Sequence, residues 1–318
     1  MHHWVIGSNG MLGSSVARGL ANESKPFGEG IRFNWSSQLE TKYQIVAAVK
    51  QFSNKVGNDP WSIFWCAGVG TVTTSGSVLD DEERIVEHLL SALLEKLQDR
   101  NNNGALFFSS SAGAIYAGSA SPPMCESTEI VPLSPYGVQK ESLETKFAMF
   151  ASRSGARVVI GRITNLYGPL QNRSKGQGLI TSICQQTLQR KPVNVFVGLD
   201  TMRNYIYVDD AAKVAIRMIE GIHLLPAATI QTKVVCSKAN HSVSSILKEC
   251  DSVFGFSPHV IQLKSFSSAA YPRDLRMKSV CELYADNFEH TPLVVGISRV
   301  WQSLVRDQQR GWLSGAKK

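Results

Sequence analysis

The sequence predicts an α/β fold, a doubly wound parallel sheet followed by a smaller C-terminal region. Three observations carry this. Short apolar runs alternate with helix-like segments as far as residue 163, with no hairpin signals between them, which is the pattern of a parallel sheet flanked by helices. A glycine turn joins the first apolar run to the first helical segment. From about Tyr167 the pattern loosens into Pro and Gly breaks and shorter elements, which marks a second region.

In order, residues 4–6 read as a buried strand and residues 11–22 as a helix. Residues 31–35 are strand-like, 43–52 helical, and 63–67 a strand. A helix over 79–97 opens on Asp80, Asp81, Glu82 and Glu83, acids that favour the positive end of the helix dipole. Residues 105–108 form a strand, 135–150 a helix and 158–163 a strand. The Leu89, Leu90, Leu93 and Leu94 set with His88 makes a helix face that packs on the sheet or on a partner chain.

Composition narrows the function classes. The 318 residues are 43% hydrophobic and 19% charged, a folding composition rather than a disordered or fibrous one. Thirty-three Lys and Arg against 26 Asp and Glu leave a net charge of +7, which fits an anionic substrate as well as a solvated surface. No basic run with interleaved aromatics points to nucleic acid. The longest charge-free stretch, 101–125, holds five Ser and three Asn, so it is no bilayer span of about 20 apolar residues. The chain starts directly on a strand-like run, with no signal peptide. Six scattered Cys contain no C-x-x-C pair, so a cytoplasmic protein with reduced thiols and no metal is expected. His2 and His3 are adjacent on a strand and point to opposite faces, and Cys66 ends a buried strand as a core thiol.

The turn reads Gly7-Ser8-Asn9-Gly10-Met11-Leu12-Gly13. Its first glycine permits a tight turn, its second lets backbone approach a pyrophosphate, and its third allows close helix–strand packing. The helix N-terminus then offers free N–H groups to phosphates. An acid that reads an adenosine ribose is expected about 20 residues on, yet none lies between Glu29 and Glu40. Arg32, Asn34 and Ser36 stand there instead, so NADP is admitted beside NAD. The alternative is that Arg32 faces solvent and Asn34 or Ser36 binds an NAD ribose.

Ser134 and Pro135 open a helix as N-cap and first residue. Tyr136 and Lys140, four apart, share one face of it. A Lys ammonium beside a phenol favours the phenolate, a base usable near neutral pH, whereas free tyrosine titrates at about 10. Ser109, Ser110 and Ser111 end a strand at the carboxyl edge where open α/β sheets bind ligands.

With these residues in order, the chain resembles the extended short-chain dehydrogenases/reductases, the NAD-dependent epimerase/dehydratase family that acts mostly on nucleotide sugars. The resemblance runs over roughly residues 4–220 and includes Trp65-Cys66-Ala67-Gly68, Ser110-Ser111 leading to Tyr116, and Glu126 ahead of Ser134-Pro135-Tyr136-Gly137 and Lys140. It continues with Asn165-Leu166-Tyr167-Gly168-Pro169 and Arg203-Asn204-Tyr205-Ile206-Tyr207-Val208-Asp209-Asp210.

The resemblance implies a Rossmann domain over 1–165 and a substrate-binding region over 166–318, with about 204–238 returning to the first domain. It implies Ser111, Tyr136 and Lys140 as the catalytic trio. Gly7, Asn9, Gly10, Met11, Leu12, Gly13, Asn34, Ser36, Ala67 and Gly68, with Tyr136 and Lys140, are the implied cofactor residues. Asn165 and Arg203 would bind the substrate's phosphates, with Arg273 in a second such segment. Structural alternatives are that Asn165 caps a turn and that Arg203 pairs with Asp209 or Asp210.

The implied chemistry is reversible hydride transfer at C4 of a nucleotide sugar. The expected partners are that substrate and a second copy of the chain. Ala112 and Gly113 replace the Asp-Glu pair of the 4,6-dehydratases, so no elimination of water is expected. The third helix also lacks the family's frequent Asn. The alternatives are a reductase of a non-nucleotide ketone of lipid, steroid or flavonoid type, and a non-catalytic cofactor-binding member.

Overall fold

The computed structural model describes residues 1–22, 33–74, 76–171, 178–263, 272–281 and 288–311. The main sheet is five parallel strands in the order β1 (His2–Ile6), β2 (Trp61–Trp65), β3 (Gly104–Ser111), β4 (Arg157–Ile163) and, from late in the chain, β8 (Ile230–Val235). The central strands, covered on both faces, read as apolar runs, as is usual for parallel strands; all five residues of β2 are buried, whereas the edge strand β8 is buried only over its last three residues.

Helices cover both faces. On one side α2 (Gln38–Val56), α3 (Gly76–Leu97) and α5 (Pro135–Ser154) pack on Trp4, Ile63, Trp65 and Phe108. Phe147 of α5 stacks on Phe108, centroids 4.6 Å apart. On the other side α1 (Met11–Asn22) and α7 (Val208–Ile222) pack on Val5, Phe64 and Phe107. The short α4 (Ala112–Ile115) follows β3 directly.

The later part of the chain has its own core. Strand β7 (Met202–Tyr207) takes β5 (Asn165–Tyr167) and β11 (Asp274–Leu275) in parallel and β9 (Asn240–Ser242) antiparallel. Strands β6 (Val193–Val195) and β10 (Val260–Gln262) pair beside it. Helices α6 (Leu179–Leu188), α8 (Val243–Phe254) and α9 (Leu293–Gln309) close an apolar cluster around Ile183, Ile246 and Ile297. No helix among the described residues is long and apolar enough to cross a membrane.

One predicted strand is corrected. Residues 33–35 are not a strand, and residues 31 and 32 lie outside the described residues. The segment instead begins a helix cap. The Asn34 carbonyl accepts from Ser37 N at 3.1 Å and Thr41 Oγ1 at 2.6 Å, and Ser37 caps α2. Local side-chain-to-backbone bonds of this kind compete with a strand ladder.

Candidate functional site

The glycine turn leaves β1 at Gly7, whose φ of +88° lies in the left-handed region. A Cβ on Gly7 would stand 2.6 Å from Ala67 N, and one on Gly13 2.2 Å from Gly7 O. Both glycines are therefore steric requirements of the turn itself. A Cβ on Gly10 would meet only Gly7 O, at 3.2 Å, so its outer side faces unfilled space. Asn9 and Gly10 are exposed, Met11 is half-buried and Leu12 is buried in the core. Leu12 thus has only its backbone to offer a ligand. The first amides of α1, from Met11 to Gly13, have no acceptor one turn back inside the helix.

From Ala67 the chain runs to the tyrosine. A Cβ on Gly68 would lie 3.3 Å from Glu82 Oε1, and one on Gly70 2.8 Å from the Tyr136 ring. The segment 67–70 therefore touches the glycine turn at one end and Tyr136 at the other. Ser134 caps α5 as expected, accepting from Gly137 N at 3.1 Å, with Pro135 in the first turn.

Lys140 is buried, and its Nζ lies 5.5 Å from the Tyr136 ring centroid and 5.3 Å from that of Phe108. Nζ donates to Glu82 Oε1 at 3.1 Å. Burial alone would lower the lysine's proton affinity. The charges of Tyr136, Glu82 and Glu144 and the bond to Glu82 outweigh it and hold the ammonium above its ordinary value. Two of its three N–H donors have no acceptor among the described residues.

The three serines at the end of β3 separate by partner. Ser109 Oγ donates to Trp65 O at 2.8 Å, and Ser110 Oγ to Glu144 Oε1 at 2.6 Å. Ser111 has no side-chain partner among the described residues and is half-buried. Ser110 belongs to a buried network. Arg162 Nη2 donates to Glu144 Oε2 at 2.7 Å, Arg162 Nη1 to Tyr116 Oη at 2.5 Å, and Tyr116 Oη to Cys125 O at 2.9 Å. Glu126 is fully engaged elsewhere, accepting from Val234 N, Ser279 Oγ and Val280 N. Cys66 is half-buried against the core, and burial pushes its thiol up to about 12.

Asn34 and Ser36 are tied to each other and to an acid. Asn34 Oδ1 accepts from Ser36 Oγ at 2.5 Å, and Asn34 Nδ2 donates to Glu40 Oε2 at 2.7 Å. Glu40, which bounds the acid-free stretch in the sequence, is brought back onto Asn34 by the turn into α2. Arg32 lies outside the described residues. A shallow pocket of about 190 Å³ lies beyond Glu40, lined by Gln38, Leu39, Lys42, Arg84, Ile85 and His88; none of the predicted site residues lines it.

The other predicted group gathers around β7. Asn165 is exposed and donates Nδ2 to Asn204 O at 2.7 Å. Arg203 bonds neither Asp209 nor Asp210. It donates Nη1 to Met202 O at 2.8 Å and to Arg273 O at 3.4 Å, and burial lowers its guanidinium below the ordinary value. Arg273 adjoins it through the β11–β7 pairing, with its side chain exposed on Asp200. Asp209 pairs with Arg18, and Asp210 accepts from Thr291.

The model of the NAD dependent epimerase/dehydratase family matches residues 4–227. The chain belongs to that family. It is 29% identical over 136 residues to a Bacillus subtilis protein described as an uncharacterized UDP-glucose epimerase, covering 43% of this chain and 41% of that one. It is 29% identical over 105 residues to the dTDP-4-dehydro-6-deoxyglucose reductase of Escherichia coli, 33% of each chain. The matches thus span less than half the length of these relatives. In structure it resembles the UDP-glucose 4-epimerase of Thermotoga maritima, with a TM-score of 0.77 at 19% identity, over 97% of this chain and 100% of that one.

The family's cofactor is a nicotinamide dinucleotide, and the residues present fit one. A Cβ would intrude at Gly10 beside open space, and a buried ammonium has two donors to spare. Gly7–Gly13 and the first amides of α1 would hold the pyrophosphate, and Lys140 a ribose hydroxyl.

Sequence reasoning missed two residues at this edge. Glu82 was read as a dipole acid, yet it is buried. The signal was present: Leu79, Glu82, Val86, Leu89 and Leu93 follow 3–4 spacing, which puts Glu82 on the apolar stripe. Asn204 replaces an acid of the family segment. It is wholly buried, accepting from Thr164 Oγ1 and Ser237 N and donating to Ser237 O and Ala239 O.

Proposed function

We propose that the protein is an NAD(P)-dependent epimerase or reductase acting at a secondary alcohol or ketone, C4 of a nucleotide sugar. The observation that carries this is the buried Lys140 ammonium 5.5 Å from the Tyr136 ring centroid, next to the segment that also touches the glycine turn. When bound, the nicotinamide supplies the hydride acceptor and donor. Tyr136 Oη takes the hydroxyl proton of the substrate and returns it. Ser111 Oγ, the one serine of the three with no side-chain partner among the described residues, donates to the same oxygen as it gains carbonyl character. Lys140 places its ammonium beside the Tyr136 ring and holds the ribose. Arg203, Arg273 and Asn165 form the anion-binding side, which favours a diphosphate over an apolar ketone.

No acid stands at the two positions after Ser111 to serve an elimination of water. Ala112 and Gly113 follow Ser111, and Glu126 has three donors on its carboxylate. Simple reduction is the second reading, favoured by the match to the E. coli reductase.

Incubation with UDP-, dTDP- and GDP-sugars in deuterated water, followed by mass spectrometry, tests the proposal. An isobaric product without solvent deuterium is expected from an epimerase, and a two-hydrogen gain from an added ketosugar and reduced cofactor is expected from a reductase. Loss of water with deuterium at C5 would contradict both.

A further inference from the structure

Glu82 lies on the buried stripe of α3 and is only 5% exposed. A carboxylate on an apolar stripe is disfavoured unless it is paired and hydrogen-bonded. Here both oxygens are used, and each is used for a different part of the site. Oε2 accepts from Val69 N at 3.1 Å and Gly70 N at 3.3 Å, and Oε1 from Lys140 Nζ at 3.1 Å. Gly70 is the residue whose Cβ would strike the Tyr136 ring. One carboxylate therefore ties the lysine to the segment that presses on the tyrosine.

We propose that Glu82 is a positioning residue of this site. It sets where the Lys140 ammonium stands against the Tyr136 ring and holds segment 67–70 in the shape the cofactor requires. The inference rests on the proposed roles of Tyr136 and Lys140. Glu82 takes one lysine donor and leaves two, so it orients the ammonium without consuming it.

Glu82 also fixes the charge of the pair. The charged groups acting on Lys140 besides Tyr136 are Glu82 from α3 and Glu144 from α5, the latter itself neutralised by Arg162 of β4. With Lys140 protonated and Tyr136 neutral, the pair carries +1, and after one proton leaves it carries zero. Glu82 stabilises the first state over the second, whichever of the two gives up the proton. Removing its charge moves that ionisation to lower pH.

The test compares wild type, Glu82→Gln and Glu82→Asp. The cofactor-free protein is titrated by tyrosinate ultraviolet absorbance, with Tyr136→Phe in each background subtracted, and NAD affinity is measured by direct binding. Glu82→Gln keeps the shape, and its ionisation is expected at lower pH than in wild type. Glu82→Asp keeps the charge but shortens the reach. It is expected to leave the ionisation in place and weaken NAD binding about tenfold.

An unshifted titration in Glu82→Gln, or unchanged NAD affinity in Glu82→Asp, would overturn the proposal. The second result decides alone if Glu82→Gln does not fold. The proposed roles fail separately, through full turnover in Tyr136→Phe.

Discussion

Lys140 and Arg273 are both cations of the candidate site, and they are held in opposite ways. The lysine side chain is 4% exposed, with one carboxylate on its ammonium and aromatic rings on two sides. The Arg273 side chain is 78% exposed and leans on Asp200 at the surface. The same contrast runs through the two halves. Around the glycine turn and Tyr136, positions are dictated by close backbone contacts and buried bonds. Around β7, Asn165 is exposed, and Arg203 is held through backbone carbonyls. Under the proposed roles, the cofactor side is preset by folding, whereas the substrate side presents exposed side chains, Asn165 and Arg273, to a ligand. Preorganisation matters most where the reacting atoms must be placed.

That contrast can be broken first at the turn. Gly13→Ala puts a methyl group into Gly7 O and is expected to abolish the turn, with loss of soluble folded protein or a large drop in Tm by calorimetry. Gly10→Ala puts its Cβ 3.2 Å from Gly7 O, a tight contact that a small shift of the turn relieves; it is expected to fold, while NAD affinity, read by isothermal titration, falls at least about tenfold, or about 1.4 kcal/mol. Equal stability of the two variants would show that the turn is not preset as described.

A smaller effect is expected across the site. Arg203→Ala should raise KM for a nucleotide sugar roughly tenfold with kcat nearly kept, the signature of lost uniform binding. Arg273→Ala should do less, because its guanidinium is exposed to water and already paired, and such surface pairs are worth about 0–1 kcal/mol. Steady-state kinetics on both variants sharpens the comparison. A larger effect at Arg273 would mean that the exposed cation is the principal anchor.

The fold was legible where the physics is local. The alternation of buried runs and amphipathic segments located the described strands and the long helices of the first 163 residues, because burial on two faces leaves no other pattern; the short α4 carries no such period and was not located. The other exception was residues 33–35, where Asn34, Ser36 and Ser37 looked like a strand end and instead cap α2. Turn chemistry won over apolar content there. Of the candidate site, the positions of the glycines, Ser111, Tyr136 and Lys140 were readable because each is fixed by spacing along one or two elements. Glu82, Glu40 and Asn204 were not, because their partners are 58, 6 and 33 residues away in sequence respectively, at Lys140, Asn34 and Ser237, and only folding brings them together.

The central claim is that Tyr136 carries the proton while its neighbours hold the cofactor. Tyr136→Phe keeps the ring that packs on Gly70 and removes only the hydroxyl, so its measurement is the most direct. Turnover of an accepted nucleotide sugar and NAD affinity are determined on the same preparation. The account predicts turnover lower by about 10²–10⁴-fold, the usual worth of a general acid–base, with NAD affinity within about twofold of wild type. Turnover near the wild-type level, or a loss that NAD affinity explains in full, would contradict it.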